Sequence, residues 1–87
     1  MLDVVEVVIE LQAEGFINSD RQTAGKVVRH LGTGAFSCRV EASVKGVPQP
    51  KGPYASEDEA RRALIQFWEN CNQALEHTPF WTPLTFV

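Results

Sequence analysis

Phe36, Cys38, Val40, Ala42 and Val44 alternate without interruption against Ser37, Arg39, Glu41, Ser43 and Lys45. This period of two predicts a strand over residues 36–45 with one apolar and one wet face. Such a strand belongs to an antiparallel sheet covered on one side. Gly46 opens a turn, and Pro48 and Pro50 follow two residues apart. A return strand over about residues 49–55 would lack both N–H groups on one side, so it is expected as an edge. The pattern then changes period. Ala60, Ala63, Leu64, Phe67, Trp68, Cys71, Ala74 and Leu75 keep a 3.6-residue stripe, which predicts a helix over residues 56–76. Ser56 and Glu59 form its capping box, and Glu57, Asp58 and Glu59 meet the positive end of its dipole.

The first 31 residues are harder to read. Val4, Val5, Val7, Val8 and Ile9 favour a strand by their β-branching. Asp3, Glu6, Glu10 and Glu14, spaced three, four and four apart, draw a polar stripe on a helix instead. Glu14-Gly15-Phe16 resembles a helix stop, which tips residues 2–16 toward a helix. Ser19 with Gln22 fits a second capping box. Ala24, Val27, Val28 and Leu31 then form a buried stripe, and Gly32-Thr33-Gly34 ends the segment. Gly25 within it calls for a close approach by a neighbouring element. Two packed helices joined by a short loop account for residues 4–31 better than a DNA-binding helix–turn–helix, whose turn is shorter.

The fold class expected is therefore α+β. It consists of a small antiparallel sheet of two or three strands, a long C-terminal helix on one face and two shorter N-terminal helices. Eighty-seven residues suffice for one small domain, residues 1–87, and not for two. Apolar and charged fractions of 44% and 22% match an average soluble domain. No apolar run reaches a membrane span, and acids interrupt the first ten residues where a secretory signal would be apolar. The expected location is the cytoplasm, with Cys38 and Cys71 reduced.

Charge is ordered along the chain. Residues 1–20 hold five acids and no base. Residues 21–55 hold Arg21, Lys26, Arg29, Arg39, Lys45 and Lys51 against Glu41. Residues 56–87 hold five acids against Arg61 and Arg62. The basic middle is either a cationic face for an anionic partner or one layer of a fold whose neighbouring elements neutralise it.

Catalytic chemistry finds little support. Cys38, Cys71, His30 and His77 are the right elements for zinc, but without the two close ligand pairs such sites show. Both cysteines fall on apolar faces, where a thiol behaves as a small hydrophobe and not as a reactive thiolate. Gly32-Thr33-Gly34 lacks the downstream Gly-Lys-Ser/Thr of a phosphate loop. The acids at 57–59 are explained by helix capping. No catalytic residue, metal or cofactor is expected.

Nucleic acid is the alternative partner, through Arg21, Lys26, Arg29, Arg39, Lys45 and Lys51. Residues 35–75 resemble the strand-turn-strand-helix part of double-stranded RNA-binding domains. The likeness rests on the alternation from Phe36 to Val44, on Gly46, and on Ala55-Ser56 ahead of Glu59-Ala60-Arg61-Arg62-Ala63. Small arm-type DNA-binding domains of phage integrases are similar in the same way. The resemblance is one of architecture. The RNA-binding family opens its last helix with phosphate-binding lysines, where this chain has Glu57, Asp58 and Glu59.

The leading expectation is a non-catalytic protein-interaction or accessory module that self-associates as a homodimer. Its small size suits an accessory protein of a mobile element or phage. Residues 78–87 carry no charge and include Phe80, Trp81, Leu84 and Phe86. These four are the expected interface, aromatic-rich as such surfaces are. The last piece of the core is the other reading of the same segment.

Overall fold

A computed structural model describes residues 2–17 and 21–76. Three strands, β1 (Val5–Phe16), β2 (Arg21–His30) and β3 (Phe36–Val40), precede one helix, α1 (Glu57–Glu76). The strands form an antiparallel meander in the order β1-β2-β3. The chain is α+β, but the two N-terminal helices expected from the sequence are the longest hairpin of the sheet.

The acid spacing that suggested helix has a different origin. Along β1, Ile9, Leu11 and Ala13 are half-buried against the core, while Glu10, Gln12 and Glu14 are exposed. That is the strand period. It is broken upstream by a register shift between Val7 and Ile9, where an extra residue inserts as in a β-bulge. A three-four-four spacing of acids thus arises on a bulged strand. Gly15 does take positive φ, at 77°, yet it sits at a second register shift, between Glu14 and Phe16. On β2 the helical stripe also fails: Leu31 is 51% exposed. Ser19, expected to cap a helix, lies outside the described residues. Gly32-Thr33-Gly34 turns β2 into β3, with the Gly34 N–H donating to the His30 carbonyl at 2.7 Å.

β3 is shorter than the alternation predicts. Pairing with β2 ends at Val40, although Ala42 and Val44 still pack against the core. The sequence pattern places the centre of the sheet on residues 35–45; in the structure the central strand is β2, and β3 lies at one edge. The expected return strand reduces to one bridge, in which Phe36 and Tyr54 exchange backbone hydrogen bonds at 3.0 and 2.8 Å. Pro48, Pro50 and Pro53 deprive that segment of ladder donors.

The helix agrees with its sequence signals. The Glu59 N–H donates to the Ser56 hydroxyl at 3.1 Å. The Glu59 carboxylate reaches back one residue further than a capping box requires, accepting the Ala55 N–H at 3.0 Å. Ala60, Leu64, Phe67, Trp68 and Cys71 are buried and close the core with Phe16 and Val27. Ala74, placed in the same stripe, is exposed.

α1 crosses one face of the sheet. Near its start the Cys38 thiol donates to the Ala60 carbonyl at 3.1 Å. Near its end Asn72 binds the end of β1: its Oδ1 accepts the Ile17 N–H at 2.6 Å, and its Nδ2 donates to the Gly15 carbonyl at 3.2 Å. Ile17 has φ of 52°, a backbone region that β-branched residues rarely enter. Asn72 therefore satisfies two backbone groups the strand can no longer pair. Asn72→Ala is expected to lower stability by about 1–3 kcal/mol, since it strands a part-buried donor and acceptor. Asn72→Asp should cost less, because it retains the acceptor for Ile17. Urea titration followed by circular dichroism checks both.

Candidate interaction surface

With the sheet ordered β1-β2-β3, the acid and base segments of the sequence become adjacent strands. Glu6 and Arg29 are cross-strand partners and form an ion pair at 3.0 Å. His30 Nδ1 lies 3.3 Å from Asp3 Oδ2, and its Nε2 lies 2.9 Å from the Ser37 hydroxyl. Glu10 stands opposite Lys26. The reading in which neighbouring elements neutralise each other thus describes β1 and β2. Both members of the Glu6–Arg29 pair are about half exposed, so the pair contributes little to stability.

The six candidate cations do not form one patch. Arg29 is held by Glu6, and Arg21 stands at the start of β2, opposite Phe16. Lys26 and Arg39 are direct cross-strand neighbours. They line a shallow depression of about 100 Å³ with Ala24, Gly25, Val40 and Glu41. Lys45 and Lys51 are exposed in the connection between β3 and α1. Like charges directly opposite destabilise a sheet, and here Glu10 and Glu41 flank the two cations and offset that cost.

Cys38 and Cys71 are both free, and burial pushes each thiol above its ordinary pKa. For Cys71 a hydrogen bond from the backbone at Val44 offsets part of that rise. A shift in this direction lowers the thiolate fraction of both at neutral pH. Among the described residues no three His, Cys, Asp or Glu side chains cluster for a metal, and no helix is long and apolar enough to cross a membrane. His77 and the expected interface residues Phe80, Trp81, Leu84 and Phe86 lie outside the described residues.

Sequence reasoning missed a different surface. Leu2, Val4 and Leu31 are 86%, 48% and 51% exposed. The Leu31 N–H donates to the Val4 carbonyl at 3.0 Å, so these two side chains are cross-strand neighbours at the open end of the hairpin. Leu2 precedes Val4 by two residues, the spacing that continues the alternate positions of β1 beyond its start at Val5. Val7 is 53% exposed further along β1. Had residues 2–16 been read as a strand, the end of the hairpin would have shown this apolar group.

Comparison with known proteins adds no identification: no family model, no curated protein and no solved structure matches the chain. The strand-turn-strand-helix likeness to RNA-binding domains also loses its second strand, which is the single Tyr54 bridge.

Proposed function

We propose that this chain is a non-catalytic protein-interaction module that self-associates, working in a reducing compartment such as the cytoplasm. The observation that carries the reading is the apolar group of Leu2, Val4 and Leu31, exposed at one end of the sheet beyond the elements that cover the core. Single exposed apolar side chains are ordinary, whereas adjoining ones mark association surfaces. Two-fold pairing is the commonest way such a patch is covered. On sequence grounds the uncharged residues 78–87 are a second contributor, through Phe80, Trp81, Leu84 and Phe86. The free, separated cysteines suit a compartment where thiols stay reduced.

Sedimentation equilibrium over a broad concentration range tests this. The full chain is expected to dimerise, and Val4→Lys with Leu31→Lys to weaken the dimer about tenfold or more while leaving the fold intact. Trp81→Ser with Phe86→Ser measures the share of the last ten residues. A monomeric parent at the highest concentration overturns the reading.

A second reading rests on Lys26 beside Arg39, with Lys45 and Lys51 in no ion pair among the described residues. Binding to nucleic acid by this set is expected to be weak, because Glu10 and Glu41 adjoin the pair. Fluorescence anisotropy with duplex DNA, duplex RNA and single strands at low salt checks it. Micromolar binding that falls steeply with salt, and again in Lys26→Ala with Arg39→Ala, would replace the first reading with this one.

A further inference from the structure

β1 is an edge strand: β2 pairs along one side, and among the described residues no strand lies along the other. An edge of this length, 12 residues, presents a row of backbone donors and acceptors that another chain can pair with. Between its two register shifts, residues 9–14 run regularly against β2, from Ile9 opposite Val27 to Glu14 opposite Gln22. Over that stretch the two faces differ in a definite way. Ile9, Leu11 and Ala13 lie toward the core and stay only half-buried, whereas Val27 in the central strand is fully covered. The apolar layer is unfinished at this edge.

The opposite face of the same stretch is Glu10, Gln12 and Glu14, all exposed. Neither glutamate makes an ion pair among the described residues; Glu10 stands opposite Lys26, at the rim of the incoming strand's site, and Glu14 opposite the uncharged Gln22. Residues 2–17 contain no Lys, Arg or His. At about 3.3 Å per residue the two carboxylates are about 13 Å apart along one face.

We propose that residues 9–14 of β1 take up an extended basic segment of another protein as a fourth strand, antiparallel to β1. Its alternate residues would be apolar, extending the layer of Ile9, Leu11 and Ala13. Lysines or arginines four positions apart on its other face would meet Glu10 and Glu14. Strand addition of this kind draws affinity from main-chain hydrogen bonds and selectivity from alternate side chains. A second copy of this chain does not fit the edge, since antiparallel pairing about Gln12 sets the glutamates of one copy against those of the other. Residues 78–87 carry no base and lack the complementary charge. This surface is separate from the apolar group at Leu2, Val4 and Leu31.

The probe is a capped, fluorescein-labelled peptide of sequence Lys-Val-Thr-Val-Lys-Val-Thr-Val-Lys, titrated with the full-length protein and read by anisotropy. Two controls carry glutamate for lysine, or N-methyl groups on alternate amides of one edge. The lysine peptide is expected to bind, and its affinity to fall about fivefold or more in Glu10→Gln with Glu14→Gln and at raised salt. Both control peptides should fail to bind. Those two glutamates are exposed, and a far-ultraviolet spectrum verifies that the variant is folded. No binding of the lysine peptide overturns the proposal, as does binding indifferent to N-methylation or to loss of the glutamates. Self-association is measured on other residues, so a protein that dimerises but ignores the peptide loses this inference alone.

Discussion

Replacing Phe67 by alanine is expected to lower the unfolding free energy by about 3–5 kcal/mol. Phe67 is 2% exposed, in the middle of α1, within the cluster that includes Phe16, Val27, Leu64 and Cys71. A helix laid over one face of a three-stranded sheet has a single layer of apolar contact, so no second core compensates for the cavity. Exposed Ile65 and Gln66 beside it provide the contrast: Ile65→Ala should change stability by less than about 1 kcal/mol. Denaturant unfolding of the three proteins checks this. A Phe67→Ala variant within about 0.5 kcal/mol of the parent would mean that the helix does not cover the sheet as described.

The same helix shows how much of the molecule was legible in its sequence. A 3.6-residue stripe, a serine cap and three acids in the first turn all point to one answer, and the structure agrees to within a residue of the cap. The alternation at β3 was legible too, but alternation reports burial, not pairing. Ala42 and Val44 remain packed against the core after the ladder has ended at Val40. The hairpin was misread because a β-bulge disturbs the period of two. With Val7 and Ile9 out of register, the acids of β1 acquire spacings that a regular helix also produces, and only residues 9–14 keep the plain alternation. The β-branched run at residues 4–9 was the better guide.

Legibility of the interaction surface followed from that of the hairpin. An acidic helix and a basic helix suggest opposed faces, and the six cations then read as one candidate patch. As adjacent antiparallel strands the same residues meet in pairs, Glu6 with Arg29 and Glu10 opposite Lys26. Among the described residues, what is left without an ion pair or a cover lies at the margins of the sheet: Glu14, and Glu10 despite the lysine opposite it, at the β1 edge, and the apolar side chains at the hairpin end. Which residues are left over depends on strand order, and strand order is not written in the local pattern of either strand.

Gly25 joins the two kinds of information, and its substitution is the second large effect expected. The sequence called for a close approach at this glycine, and the approach is real, though the residue is in a strand. A Cβ placed on Gly25 would lie 2.9 and 3.0 Å from the two Leu64 methyl carbons and 3.1 Å from Cζ2 of Trp68. Two tendencies compete on substitution. Leaving glycine gains strand propensity, worth at most about 1 kcal/mol. Against this, Leu64 is fully buried and Trp68 is 8% exposed, so the clash falls inside the core and must be relieved by shifting buried side chains, and overpacking costs about 1–3 kcal/mol or more. Overpacking wins. Gly25→Ala should destabilise, and Gly25→Val should do so more strongly, toward the top of that range. Leu64→Ala alone should cost about 2–5 kcal/mol by leaving a cavity. Combined with Gly25→Val, the added methyl groups occupy part of the space that Leu64 vacates, so the double variant should be more stable than the sum of the two losses predicts. Residues in direct contact couple by about 0.5–3 kcal/mol, and a double-mutant cycle in urea measures that coupling. Simple additivity would show that Gly25 and Leu64 do not touch, and that α1 packs on the sheet in some other register.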